Sequence, residues 1–102
     1  MSSTHLVRKY CISGEVRIPS TATIIAEIVD HEQTYTSRTL IVVEGKKIKM
    51  INCLKTENNS YCEEYELNVN EACEVIKYGI VLVQKGRVYM VLDPLAHKIC
   101  NL

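Results

Sequence analysis

Apolar and polar residues alternate along most of this chain with a period of two, the pattern of strands that bury one face. In "TATIIAEIVD", Ile24, Ala26 and Ile28 share one face, while Thr23, Ile25, Glu27 and Val29 share the other. The first set is continuously apolar and is predicted to face the core. Pro19 and Ser20 punctuate the start of this strand, and the polar "DHEQTYTS" connects it to "RTLIVV". Glu44-Gly45 separates that run from "KKIKMINC". Glycine adopts positive φ without steric penalty, so a tight hairpin is predicted there. In the returning strand Ile48, Met50 and Asn52 alternate with Lys47, Lys49 and Ile51, which gives one lysine-bearing face.

The alternation breaks in "LKTENNSYCEEYELNVNEA", a stretch rich in Asn, Glu and Ser. Tyr61, Cys62, Tyr65 and Val69 have spacings that permit one short helix, and Ser60 precedes Glu63 as in a capping box. A solvated loop would have the same composition. Two further apolar runs, "CEVIKYGIVLV" and "RVYMVL", are joined by Gln84-Lys85-Gly86 and read as a second hairpin. Asp93-Pro94 stops the last strand, and "LAHKICNL" reads as a short tail. A leader strand is placed at residues 6–12, and Gly14 reads as an ordinary turn.

Three strands, a helical or looped insert and two more strands follow the order of an OB-fold. The expected fold is therefore all-β with one short helix: an OB-like, five-stranded, partly open Greek-key barrel. A single domain is expected, with residues 1–20 as leader segment, 21–92 as barrel and 93–102 as tail. Gly79 interrupts what reads as the fourth strand. A sharp bend at a barrel corner would explain it, as would close packing beneath a large side chain.

Composition narrows the function classes. A chain of 102 residues can bury a core without metal or disulfide. Twelve basic residues balance twelve acidic ones, which argues against a free-standing nucleic-acid binder, since phosphate binding draws on clustered positive charge. The cysteines, Cys11, Cys53, Cys62, Cys73 and Cys100, are odd in number and lack a C-x-x-C spacing. "MSSTHLVRKY" has neither the apolar segment nor the cleavage site of a signal peptide. Reduced thiols in an intracellular, reducing compartment are expected. No apolar run approaches the roughly 20 residues that cross a bilayer, so no membrane association is expected.

The segments "TATIIAEIVD", "RTLIVVEGKKIKM" and "NEACEVIKYGIVLVQKGRVYMVLD" resemble the small single-OB-fold proteins that guard single-stranded DNA. The nearest types are the smallest subunits of the CST telomere-capping complex and of replication protein A. "CEVIKYGIVLV" looks like the family's fourth strand, with Gly79 and Val81 at its glycine and valine positions. "VVEGKKIKM" looks like its hairpin, with Gly45 at the tip. Ala26 stands where the family has a first-strand glycine. The resemblance implies a non-catalytic small subunit of a telomere-capping complex in the nucleus, at the chromosome end, bracing a larger OB-fold partner. A replication-protein-A-like subunit, or a small β-barrel adaptor with no nucleic-acid role, are the alternatives.

Single-strand binders pair a basic groove with aromatic platforms. The candidates are Tyr35, Arg38, Lys46, Lys47 and Lys49, with Lys55 nearby; an ordinary solvated lysine face would read the same way. Ile80, Leu82, Val88 and Met90 are the candidate partner interface, because runs apolar on both faces must be covered twice. Cys53, Cys62, Cys73 and Cys100 with His5, His31 and His97 could in principle hold zinc, but no spacing recommends it. Neither metal, cofactor nor small-molecule substrate is expected. No phosphate loop, nucleophile elbow or zinc-protease motif is present. Asp30-His31-Glu32 invites an acid–base role, yet adjacent residues of a solvated loop point in different directions.

Overall fold

The computed structural model of the chain describes residues 5–10 and 18–102. Its strands are β1 (His5–Tyr10), β2 (Ala22–His31), β3 (Tyr35–Glu44), β4 (Lys47–Thr56), β5 (Ser60–Leu67) and β6 (Tyr89–Leu92). Helix α1 (Val69–Gln84) lies between β5 and β6, and α2 (Pro94–Cys100) follows β6. All six strands form one antiparallel sheet in the order β1-β5-β4-β3-β2-β6. Strands β2 to β5 are a meander, and β1 and β6 are added at its two edges.

The chain is thus mostly β, as the alternation predicts, but the sheet does not close into a barrel. The physical reason lies in residues 73–83, expected as the fourth strand and part of the second hairpin; they belong to α1 instead. Asn68 and Glu71 form a reciprocal capping box: the Asn68 side chain accepts from the Glu71 amide, and the Glu71 carboxylate accepts from the Asn68 amide. From that start Ala72, Cys73, Ile76 and Gly79 are buried along one helical stripe. The predicted cap at Ser60 and Glu63 belongs to no helix, because those residues lie in β5, paired in register with β4.

The hairpin at Glu44-Gly45 forms as predicted: β3 and β4 are joined by Gly45 and Lys46, with Gly45 at φ +63°. A leader strand forms too, at His5–Tyr10, antiparallel to β5. Strand β2 departs from simple alternation. Its pairing with β3 shifts between Ile24 and Ala26, a β-bulge that sends one extra residue inward. Ile25 and Ala26 are consequently buried, while Ile24, expected in the core, is 40% exposed.

Both helices pack on one face of the sheet. Ile25, Ala26, Ile41, Ile48 and Leu67 meet Ala72, Cys73 and Ile76 of α1 and Ala96 and Cys100 of α2 there. Ile25, Ile41 and Ile76 are the largest apolar side chains fully buried on this side, each contributing about 2 kcal/mol through apolar transfer. On the far face a second cluster holds Leu40, Val42, Ile51 and Cys62.

Gly79 packs tightly against the sheet. A Cβ built there would lie 2.2 Å from Met90 Cε on β6 and 2.8 Å from Ile28 Cδ1 on β2. The glycine is therefore a seat for large side chains, not a bend in a strand.

Four cysteines expected as thiols are joined in two disulfides. Cys53 and Cys62 are cross-strand partners on β4 and β5, with Cα atoms 4.0 Å apart. Cys73 and Cys100 tie α1 to α2 over a separation of 27 residues. Pairing was hidden in the sequence because Cys62 reads as helical and Cys73 as strand, which removes the register that brings each to its partner. Cys11 and Gly14 lie outside the described residues.

Candidate interaction site

The residues expected to contact nucleic acid do not converge on one place. Lys46 is in the β3–β4 turn, and Lys47 and Lys49 follow it on β4. Tyr35 opens β3 at the opposite end of the sheet, in register with Thr56. Seven residue steps along β4 separate Thr56 from Lys49, about 23 Å. The basic groups are also partly neutralised: Lys49 Nζ lies 3.1 Å from Glu44 Oε1, Lys47 is opposite Glu44 in register, and Arg38 Nε donates to Glu27 Oε2.

Arg38 belongs to a different grouping. On the face away from the helices, Glu27, His31, Thr36, Arg38, Lys55 and Ser60 line a shallow depression. Tyr35 and Lys55 share the neighbouring one, at the rim of the β2–β3 hairpin. His31 Nδ1 is 3.3 Å from Thr36 Oγ1, and its ring meets Tyr89 edge-on, with centroids 6.0 Å apart.

Asp30, His31 and Glu32 do not assemble into a catalytic group. Strand alternation turns Asp30 to the helix side with Ile28 and turns His31 to the far side, and Glu32 is exposed beyond the end of β2. The cysteines weighed as zinc ligands are consumed in the two disulfides. Among the described residues no group of three or more His, Cys, Asp and Glu side chains could hold a metal ion, and no helix is long and apolar enough to cross a membrane.

The candidate partner residues divide. Ile80 packs against the helix-side core, and Met90 covers Gly79. Leu82 and Val88 are half-buried. Their neighbours on β6 are far more exposed, Tyr89 at 71% and Val91 at 67%, with Tyr78 of α1 at 65%. Strand β6 hydrogen-bonds to β2 on one side and forms an edge of the sheet on the other. Alternation accounts for this: Met90 and Leu92 turn toward α1, so Tyr89 and Val91 must turn outward. Of these two inward residues only Met90 was among the expected interface, because alternation alone does not say which face the helices cover.

Elsewhere on the sheet, Tyr65 donates to the Glu63 carboxylate, and this bond, with burial second, raises the Tyr65 phenol above its ordinary value. Comparison with protein-family models, with curated proteins and with solved structures finds no match to this chain.

Proposed function

We propose that this chain is a non-catalytic protein-interaction domain, braced by disulfides for an oxidising compartment, that engages its partner along the free edge of β6. The observation that carries the reading is the exposure of Tyr89 and Val91 on an edge that no other described strand pairs. An edge strand presents a row of backbone donors and acceptors, and a partner strand that adds to it gains main-chain hydrogen bonds plus side-chain contacts on each face. Tyrosine suits such a contact, because its ring packs while its hydroxyl stays wet. The two disulfides support the compartment, since such bonds persist where the medium is oxidising.

Selection of short extended peptides on the oxidised chain tests the reading. Peptides rich in β-branched and aromatic residues are expected to bind wild type and to lose binding to Val91→Lys. Equal recovery on both proteins refutes it.

A second reading follows the family resemblance: a small subunit of a single-stranded-DNA-protecting complex, bracing a larger OB-fold partner. The gathering of His31, Arg38 and Lys55 on the far face favours it. It stands second because Glu27 offsets Arg38 and residues 73–83 are not available as the family's fourth strand. Unchanged oligonucleotide affinity after Arg38→Glu with Lys55→Glu would remove it.

A further inference from the structure

We propose that the β6 edge pairs with the β6 edge of a second copy of this chain, antiparallel, about a twofold axis at Met90. The inference rests on the interaction-domain reading above and names the partner for that edge.

Hydrogen-bond direction sets which residues can pair. The Asp93 amide donates to the Ile25 carbonyl on β2. Residues two apart along a strand point their backbone groups the same way, so Val91 and Tyr89 also face β2. Met90 and Leu92 then present theirs to the open edge. Antiparallel pairing must oppose outward groups with outward groups, which restricts the register to even-numbered partners. Centred on Met90, the register sets Met90 against Met90 and Leu92 against Val88.

Charge selects this register over its neighbours. It sets Tyr89 opposite Val91, an aromatic–β-branched pair of the kind that stabilises sheets. It also sets Arg87 opposite Asp93, so the apolar centre is closed at both ends by opposite charges. Asp93 uses Oδ1 to cap α2 at the Leu95 amide, and its second oxygen remains for Arg87. Moving the centre to Val91 would set Tyr89 against Asp93 and Arg87 against Leu95 in α2, and moving it to Tyr89 would set Arg87 against Val91; either way both matches are lost.

The two edges of the sheet differ in protection. Strand β1 has a register irregularity between Leu6 and Arg8, a feature that discourages strand addition. Strand β6 has no lysine, proline or bulge, and its shortness, four residues, is its one guard against strand addition.

Sedimentation velocity of the oxidised full chain, from micromolar to near-millimolar concentration, tests the proposal. Wild type is expected to pass from one chain to two, without a covalent band on a non-reducing gel. Arg87→Glu and Val91→Lys are each expected to weaken association about tenfold or more, because the twofold axis makes each lost pair count twice. Arg87→Lys should retain it. Thermal melts at high dilution, where all are single chains, should match wild type. A chain that stays single at near-millimolar concentration, a covalent dimer, or a dimer indifferent to both variants overturns the proposal. If extended peptides still bind β6 in a chain that stays single, only the self-pairing falls; if they also fail, both readings fall.

Discussion

Replacing Gly79 with alanine sets two effects of similar size against each other. In a helix interior alanine is favoured over glycine by about 1 kcal/mol, so an unobstructed helix would be stabilised by that amount. Here the new Cβ would lie 2.2 Å from Met90 Cε, 2.8 Å from Ile28 Cδ1 and 3.3 Å from Ile28 Cγ1. Carbon atoms settle at about 3.5–4.0 Å, so Met90 must retreat by more than an ångström and Ile28 by somewhat less. Met90 has rotatable bonds to absorb the move, whereas Ile28 is stiff at χ1. Overpacking of this kind costs about 1–3 kcal/mol, leaving Gly79→Ala destabilised by about 0–2 kcal/mol after the helical gain. Urea unfolding of the oxidised protein, followed by far-ultraviolet circular dichroism, measures it. The decisive comparison repeats the change in a Met90→Ala background, where the tightest contact is gone and Gly79→Ala should be better tolerated by about 1 kcal/mol. An increase in stability of the same size in both backgrounds would refute the reasoning, because α1 would then not rest on β6 at Gly79.

Two more outcomes follow from the bonds described. Replacing Cys73 and Cys100 together with serine should cost about 3.5 kcal/mol from loop-closure entropy alone, against about 2.6 kcal/mol for Cys53 with Cys62, because the separations are 27 and 9 residues. Paired urea titrations rank the two, and a reversed order would show that strain or residual structure dominates. For Tyr65 the sign is fixed by the Glu63 carboxylate, which disfavours the phenolate in the folded chain. Its contribution is complete below the ordinary value of 10.0 and is lost as pH rises from there through the raised folded value. Stability should fall over that alkaline range in wild type and fall less in Tyr65→Phe.

The meander was legible because its residues obey one rule at a time. In β3 and β4 the period-two pattern, with Gly45 between, specifies both the strands and their turn. In β2 the continuous run Ile24-Ile25-Ala26 satisfies a bulged and an unbulged strand equally, and only pairing with β3 decides. Helix α1 was concealed by Val75, Ile76, Ile80, Val81 and Val83, whose side chains favour strands. Its Asn68–Glu71 box was nonetheless present in the sequence, with Ala72, Cys73, Ile76 and Ile80 following at helical spacing. Strand β5 was concealed the opposite way, by Glu63, Glu64 and Glu66, which look solvated although Glu64 is buried. The outward-facing pair on β6 could not be chosen without knowing that α1 covers Met90. That fact belongs to tertiary packing, and no local pattern carries it.

The covalent link between Cys73 and Cys100 closes a ring that contains all of β6 and α2 and most of α1. The other disulfide lies wholly within the sheet, so no covalent tie joins the ring to the meander beyond the chain leading into α1. The ring carries β6 together with the two helices that bury Ile25 and Ile41, so freeing all of it from the sheet would uncover the helix-side core.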